Sequence, residues 1–265
     1  MTLIVSSKRC AAKNITRAKN NYFPVLIMEL SILQWNCRSL VAHQAELKNY
    51  LSSTTVRPSL ICVQETFLKP GKNVNIHGYV VERRDREGAK RAGGVAIFIA
   101  EGLSYTVIDR PEDVEALTIQ FSLASKRKIT VTCLYHPPAT AINPASFRRI
   151  FALKDNIIVG DLNSHSTLWG SPTTDNNGRL VEELLEEHDL TVLNTGEGTF
   201  VKPNSEGYSP LDLTIVPGRL EVPGVRVHRC THDWLTVLPG EVARKHGVQR
   251  LLAGRVLAVL HPPVL

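Results

Sequence analysis

Short apolar runs of strand length recur along this chain, and several of them end in polar residues. In the clearest case, the run 157–159 is followed directly by Gly160-Asp161-Leu162-Asn163. A short apolar run bounded by turn residues is typical of a strand that is buried on both faces. Side chains alternate along an extended chain, so Asp161 and Asn163 lie on the same face. The pattern therefore predicts a buried strand whose carboxyl end presents a carboxylate and an amide together.

Four other apolar runs have polar residues at one end. Trp35-Asn36 ends the run 31–34, Gln64-Glu65 ends 60–63, Tyr135 ends 129–134, and Asp212 opens the run to 216. Taken singly, each residue has an ordinary structural explanation as a turn cap, a solvated strand end or a core aromatic. An α/β fold, however, gathers its chemistry at strand ends. The joint occurrence therefore predicts that these residues share one site.

Apolar periodicity along the chain predicts the fold class. We expect strands near 31–35, 60–64, 78–82, 94–100, 104–108, 115–121, 128–135, 156–160, 190–193 and 212–216. Leu40, Leu47 and Leu51 share one face of a first predicted helix, and an apolar stripe over 180–188 marks a second. Strands follow one another from 78 to 135, whereas helices separate the others. This order predicts an α/β protein with two mixed sheets packed face to face and helices outside.

Length and charge limit the possible partners. A chain of 265 residues with 43% hydrophobic residues can form one large domain with a full core. The net charge of +6 comes from the ends, since residues 1–28 contain five Lys/Arg and no acid, and the central part is slightly acidic. Any DNA contact must therefore come from local groups such as Arg83-Arg84 or residues 126–128, which are equally well explained as solvated loop charges.

Cysteine usage and hydropathy limit the environment of the protein. The five cysteines show no paired spacing, and Cys62 and Cys133 fall in predicted buried strands. This favours free thiols in a reducing compartment. The apolar stretch 25–28 is too short for a signal-peptide core or a membrane span, so no membrane association is expected.

The polar motifs match a known family in order and spacing. They are Asn36, Gln64-Glu65, Tyr135-x-Pro-Pro, Gly160-Asp161-x-Asn163 and Ser209-x-x-Asp212-x-Thr214. In this respect the chain resembles the endonuclease/exonuclease/phosphatase superfamily. Further motifs resemble the apurinic-endonuclease-like domain of LINE-type (non-LTR) retrotransposons; they lie at 35–39, 64–66, 91–96, 168–171, 193–196 and 211–214. The resemblance implies a four-layer α/β sandwich, in agreement with the periodicity.

The resemblance also divides the chain into three parts. It extends from about Ser31 to Leu238, so we expect the endonuclease domain to occupy residues 30–238. Residues 1–29 are then a non-homologous basic leader, which we expect to be disordered. Residues 239–265 form an off-family tail in which 250–260 are a candidate short helix. In the family a reverse transcriptase normally follows this domain, and none is present in this sequence.

The resemblance implies a hydrolase for phosphodiesters that uses Mg²⁺, with Mn²⁺ as the alternative metal. Such a reaction needs an activated water and stabilisation of charge on the phosphoryl oxygens. By resemblance, Glu65 is the principal metal carboxylate, with Asn36 beside it binding phosphate or a metal-bound water. Asp233 aligns with a second family acid at the metal. Hard cations of this kind prefer oxygen ligands.

The remaining site residues act on the substrate. By resemblance, Asp161 orients or deprotonates the attacking water, while Asn163 and Tyr135 donate hydrogen bonds to the phosphoryl oxygens. Asp212 would hold and polarise an active-site histidine, as carboxylates do in other hydrolases. The expected partner is double-stranded DNA, and no obligate protein partner is indicated. An intracellular protein is expected, located in the nucleus if it acts on chromosomal DNA.

The chain departs from the family at the histidine itself. The family ends with Ser-Asp-His, whereas the best match here is His232-Asp233-Trp234. Trp234 therefore occupies the histidine position, and an indole offers one neutral donor and cannot shuttle a proton. Loss of general acid–base help typically costs roughly 10²–10⁴ in rate. Nearby His232 is a weak substitute because it is displaced by two residues.

Three functions remain open at this point. The leading hypothesis is a metal-dependent endonuclease domain that nicks one DNA strand, with weakened activity. A second is a non-catalytic, degenerate remnant of the same domain, which Trp234 and the off-family tail favour. A third is a phosphatase of the same superfamily acting on a small or lipid phosphate, against which the transposon-type motifs argue.

Overall fold

Most strands and helices expected from the sequence are present. The computed structural model describes residues 30–87, 93–122, 127–194 and 210–218, and the backbone of residues 200–201, 208–209, 225–230 and 257–259. The helices are α1 (Leu40–Ser53), α2 (Pro144–Phe151) and α3 (Asn176–Glu187). The strands are β1 (Leu30–Asn36), β2 (Leu60–Gln64), β3 (Tyr79–Arg84), β4 (Val95–Ala100), β5 (Tyr105–Ile108), β6 (Glu115–Ser122), β7 (Lys128–Tyr135), β8 (Asn156–Asp161), β9 (Leu190–Val192), β10 (Phe200–Val201), β11 (Tyr208–Ser209), β12 (Asp212–Pro217), β13 (Val225–Cys230) and β14 (Leu257–Val259).

The described strands form two six-stranded mixed sheets and one short antiparallel pair, β10 and β11. Sheet A has the order β14-β13-β1-β2-β4-β3, and sheet B has the order β5-β6-β7-β8-β12-β9. In sheet A, β1 lies between two parallel neighbours, β13 and β2. In sheet B, β7 and β8 are parallel, and β12 runs antiparallel to β8. The parallel pairs bring the carboxyl ends of neighbouring strands to the same edge of each sheet.

Three apolar clusters stack the molecule into four layers. The first fills the space between the sheets, with Ile32 and Cys62 of sheet A facing Val131 and Val159 of sheet B. The second packs α2 and α3 onto the outer face of sheet B, and the third packs α1 onto the outer face of sheet A. The predicted four-layer α/β sandwich, with two mixed sheets and outer helices, is confirmed.

Helix α2 was missed by the sequence patterns, and β14 differs from them. The first residue of α2 is Pro144, and proline is favoured in the first turn of a helix; Asn143 caps α2 by accepting from Ala145 N at 3.1 Å. Residues 257–259 form a strand parallel to β13, so the short helix suggested for 250–260 is wrong for these residues.

Three of the five cysteines lie among the residues whose side chains are described. Cys37, Cys62 and Cys133 are buried and unpaired. Burial raises the pKa of Cys37 to about 12, so this thiol stays neutral. No helix within the described ranges has both the length and the hydropathy needed to span a bilayer.

The turn after β8 provides a matched test of the packing. Trp169 is fully buried in the cluster beneath α3, and its indole Nε1 donates to Ser164 O at 3.2 Å, whereas the neighbouring Leu168 is 61% exposed. We expect Trp169→Ala to lower the free energy of unfolding by about 3–5 kcal/mol. Leu168→Ala should change it by less than about 0.5 kcal/mol. Urea denaturation followed by circular dichroism measures both, and equal losses would contradict the assigned packing.

Candidate active site

The polar strand ends predicted from the sequence lie at one edge of the sandwich. In sheet A, β1 and β2 run parallel, and Asn36 is paired with Gln64, immediately before Glu65. In sheet B, Tyr135 and Asp212 are the partners of Asp161 on its two sides. Strand pairing alone therefore gathers these residues into two groups, one on each sheet.

Asn36 joins the two groups. Its Nδ2 donates to Glu65 Oε1 at 2.9 Å and to Asp161 Oδ2 at 2.8 Å. Its Oδ1 accepts from the backbone N–H of Arg38 at 3.4 Å, so both ends of the amide are in use. One amide thus holds two carboxylates from opposite sheets at a short and defined separation. Hydrogen bonds to charged carboxylates are stronger than those between neutral groups.

Glu65 stands in an uncommon backbone conformation. It is the first residue after β2, and its φ of 51° lies in the left-handed region. Such a conformation costs of the order of 1–3 kcal/mol for a residue other than glycine, and it persists where neighbours fix it. The neighbours here are Gln64, whose carbonyl accepts from Cys37 N at 3.1 Å, and Thr66, whose N–H donates to Gly94 O at 3.1 Å. The carboxylate is therefore aimed by its backbone.

Asp161 is the most deeply buried carboxylate of the site. Its side chain accepts from Asn36 and from the backbone N–H of Asn163 at 3.0 Å, and the residue is only 6% exposed. Burial and then the negative charge of Asp212 raise the pKa of Asp161 well above its usual value. Burial and a neighbouring like charge are the means by which proteins raise the pKa of carboxylates that act as bases.

Asn163 is held by its own backbone geometry. Its φ of 43° turns the chain sharply after β8, and its Nδ2 donates to His136 O at 2.9 Å. This bond ties the loop after β8 to the end of β7. One of the two amide hydrogens is thus committed to the fold, and the role of Asn163 towards substrate remains a prediction.

Tyr135 ends β7 with its ring among the inward-facing core residues. It is 4% exposed. Burial is the main cause that raises the pKa of Tyr135, the negative charges of Glu65 and Asp161 raise it further, and Arg86 opposes them. The phenol therefore stays protonated at neutral pH and can serve as a hydrogen-bond donor.

Two residues that support Asp212 were not identified from the sequence. Gln34 Nε2 donates to Asp212 Oδ1 at 3.3 Å, and Asn194 Nδ2 donates to the Asp212 carbonyl at 2.8 Å. Gln34 is 1% exposed and shares the face of β1 that carries Asn36. In the sequence, Gln34 can be recognised as a polar residue inside an apolar run, two positions before Asn36. Asn194 lay in a motif to which no role was given.

Asp233 and Trp234 lie outside the described residues. The backbone of β13 runs parallel to β1 and ends at Cys230, which is the partner of Trp35. Cys230 therefore lies one register position from Asn36, and it precedes Asp233 by three residues in the sequence. The predicted roles of Asp233 and of position 234 remain predictions.

The described residues fit a hard divalent cation in their chemistry. Among them no group of three or more His, Cys, Asp or Glu side chains is arranged as a metal cluster. Yet Glu65 and Asp161 share one donor, Asn36, and the charges of Asp161 and Asp212 are close enough to perturb each other. A concentration of oxygen donors and negative charge is what Mg²⁺ or Mn²⁺ binds. Glu65 and Asn36 are the described residues that would hold it.

Comparisons with known proteins agree with the geometry. The model of the endonuclease–reverse transcriptase family matches residues 129–235. The RNA-directed DNA polymerase from mobile element jockey of Drosophila melanogaster is 28% identical over 236 residues, which cover 84% of this chain and 25% of the relative. The probable RNA-directed DNA polymerase from transposon X-element of the same species is 25% identical over 199 residues, which cover 71% of this chain and 21% of the relative. The chain thus spans between a fifth and a quarter of the length of these relatives.

Solved structures show the same fold. The endonuclease domain of TRAS1, a telomere-specific non-LTR retrotransposon, superposes with a TM-score of 0.56 at 23% identity, covering 71% of this chain and 85% of that domain. The AP endonuclease LMAP from Leishmania major superposes with a TM-score of 0.55 at 16% identity, covering 71% and 78% of the two chains. The order of motifs, the sandwich and the retrotransposon relatives agree. The chain therefore matches the endonuclease–reverse transcriptase family over residues 129–235 and has the fold of these endonuclease domains.

Proposed function

We propose that this domain hydrolyses phosphodiester bonds in double-stranded DNA, cutting one strand, with a divalent cation, Mg²⁺ or Mn²⁺. The observation that carries the proposal is the Asn36 amide, which holds Glu65 and Asp161 from opposite sheets within hydrogen-bond reach of one group. The similar proteins named above include two endonucleases of the same fold. In a longer element, the nick would serve a reverse transcriptase, and on chromosomal DNA the site of action would be the nucleus.

The proposed roles fall to residues from both sheets. Glu65 and Asn36, with Asp233, would hold the metal, which would neutralise negative charge on the phosphoryl group when bound. Asp161 would orient the attacking water and take its proton, because its raised pKa suits that task. Tyr135, kept protonated by burial and neighbouring carboxylates, would donate to a phosphoryl oxygen together with Asn163.

One positive charge near the site supports a nucleic acid substrate. Arg38 is exposed and follows Asn36 by two residues, which puts a positive charge near the site. Arg83 and Arg84 donate to backbone carbonyls, and Arg127 Nη2 donates to Asp155 Oδ1 at 2.7 Å. Because of its place next to the site residues, we expect Arg38 to contact the DNA backbone.

Nicking of supercoiled plasmid tests the proposal directly. The protein should convert supercoiled to open-circular DNA in Mg²⁺, and both EDTA and Asp161→Asn should stop the reaction. A soluble phosphate monoester assayed in parallel should be left intact. Hydrolysis of the ester without nicking would favour the phosphatase. A folded protein that does neither would favour the non-catalytic remnant, which is also supported by the tryptophan at position 234.

A pair of substitutions tests whether Asp161 and Asn163 serve the same step. The backbone N–H of Asn163 donates to Asp161, so the two residues form one structural unit. Asp161→Asn and Asn163→Ala should each reduce nicking strongly, and the double variant should lose less than the product of the two factors. Initial rates under saturating plasmid give the comparison. Losses that multiply independently would show that the two residues act separately.

A further inference from the structure

Arg86 connects the edge of sheet A to a site residue on sheet B. It follows β3 by two residues, and its Nε donates to Glu115 Oε1 at 2.6 Å, while its Nη2 contacts the same oxygen. Glu115 begins β6 and is the strand partner of Tyr135. The guanidinium carbon of Arg86 lies 5.6 Å from the centroid of the Tyr135 ring. One arginine therefore contacts both the ring and the carboxylate beside it.

The Gly93-Gly94 turn completes this arrangement. Gly94 N donates to Glu115 Oε2 at 2.6 Å. Both glycines have left-handed φ angles, 73° and 83°, and a Cβ at Gly93 would collide with Arg86 Nε and Glu115 Oε2. The backbone angle therefore favours glycine here, and a side chain at Gly93 would displace the ion pair. These two glycines belong to the sequence motif at 91–96, whose role the sequence alone does not indicate.

The same turn also reaches the other side of the site. The carbonyls of Gly94 and Gly93 accept from Thr66 N at 3.1 Å and from Phe67 N at 3.0 Å, directly after Glu65. Glu65 and Tyr135 are therefore fixed by one connected set of contacts that runs through the turn, Glu115 and Arg86. The two residues lie on different sheets, so the connection sets their relative position.

We propose that Arg86 is a positioning residue that holds the Tyr135 ring, and with it the phenolic donor, in place for the phosphoryl group. The proposal deepens the endonuclease function proposed above and rests on it. A cation over an aromatic face attracts the ring, and the attraction grows as the cation is shielded from water. Arg86 and Glu115 have side chains that are only 26% and 16% exposed, so the contact is largely shielded from water. A displaced donor is costly, since about 1 Å can mean a hundredfold in rate.

A double-mutant cycle on nicking tests this role. Arg86→Ala should lower kcat by roughly ten- to a hundredfold with little change in KM, because the contact fixes geometry and does not bind ground-state DNA. In a Tyr135→Phe background, the same substitution should have almost no further effect. Arg86→Lys, which keeps the charge but loses the planar fork, should retain part of the activity. Independent losses from Arg86 and Tyr135 would overturn the proposal.

The matched control is Arg127→Ala. Arg127 also forms a partly buried ion pair, with Asp155 at 2.7 Å and side chains 34% and 20% exposed. It belongs to the opposite end of β7 from Tyr135. If Arg86 only stabilises the fold, the two alanine variants should lose activity and thermal stability alike. A selective loss of kcat in Arg86→Ala is the expected result.

A measurement without turnover separates this proposal from the proposed function. Protein labelled with 3-fluorotyrosine has a ¹⁹F resonance for Tyr135, assigned by its absence in Tyr135→Phe. Arg86→Ala should shift and broaden that resonance, Arg86→Lys should shift it less, and Arg127→Ala should leave it unchanged. A protein that never nicks DNA yet shows this pattern would refute the nuclease and retain the positioning role. An unchanged resonance in folded Arg86→Ala and Arg86→Lys would refute the role itself.

Discussion

Replacing Glu65 with glutamine should abolish nicking in Mg²⁺ and leave the fold intact. The amide can still accept the hydrogen bond from Asn36 that the carboxylate accepts now, so the local structure is expected to survive. What is lost is the negative charge that would hold the cation. A bound metal contributes several kcal/mol of charge stabilisation, and each 1.36 kcal/mol is tenfold in rate, so the loss should be about a thousandfold or more. Plasmid nicking and calorimetric titration with Mg²⁺ measure the two effects.

The control is Glu82→Gln. Glu82 is also a half-buried carboxylate with one side-chain hydrogen bond, from the Tyr105 hydroxyl at 2.7 Å, but it lies on β3 away from the site. It should bind Mg²⁺ and cut DNA like the parent. Unchanged Mg²⁺ affinity in folded Glu65→Gln would remove Glu65 from the metal site.

Changing Trp234 to histidine should increase nicking by roughly 10²–10⁴-fold if the imidazole is the only missing part of the site. The carboxylate that would orient the imidazole is that of Asp212, which accepts from Gln34 and is the strand partner of Asp161. The last residue of β13, Cys230, lies at the Asn36 end of sheet A and precedes position 234 by four residues. A misplaced imidazole would restore little, because about 1 Å already costs about a hundredfold.

Two control variants show what causes a gain in nicking rate. Trp234→Phe removes the indole without supplying a proton carrier and should not raise the rate. Trp234→His combined with Asp212→Ala should lose the gain, because the carboxylate no longer orients the ring. A gain that survives the loss of Asp212 would contradict the paired role. A complete lack of gain in a folded protein would favour the non-catalytic remnant.

The expected strands are all present, with bounds within two residues of the structure, because most of them are short apolar runs buried on one or both faces. α2 was harder to find because its amphipathic stripe is only eight residues long and begins with proline. β13 was missed because arginine and histidine interrupt its sequence, VRVHRC. Its membership of sheet A depends on a partner far away in the chain, which local patterns cannot reveal.

The convergence of the polar residues could be predicted because strand ends and sheet edges coincide in α/β folds. Asn36, Glu65, Tyr135, Asp161 and Asp212 do come together, although their chemical roles stay predictions. The contacts of Gln34 and Arg86 could not be predicted. They depend on which strand lies opposite which, and a buried glutamine or a loop arginine has no distinctive spacing in the sequence.

The place of β1 in sheet A has a consequence for how the protein is made. β1 is the first described strand, yet one of its two neighbours is β13, with Leu30 paired to Val225. During synthesis, the edge of β1 that pairs with β13 has no hydrogen-bonding partner until nearly the whole domain has left the ribosome. An exposed strand edge is a template for wrong pairing, and such distant contacts form slowly. Chains released before residue 225 should therefore be insoluble as well as inactive.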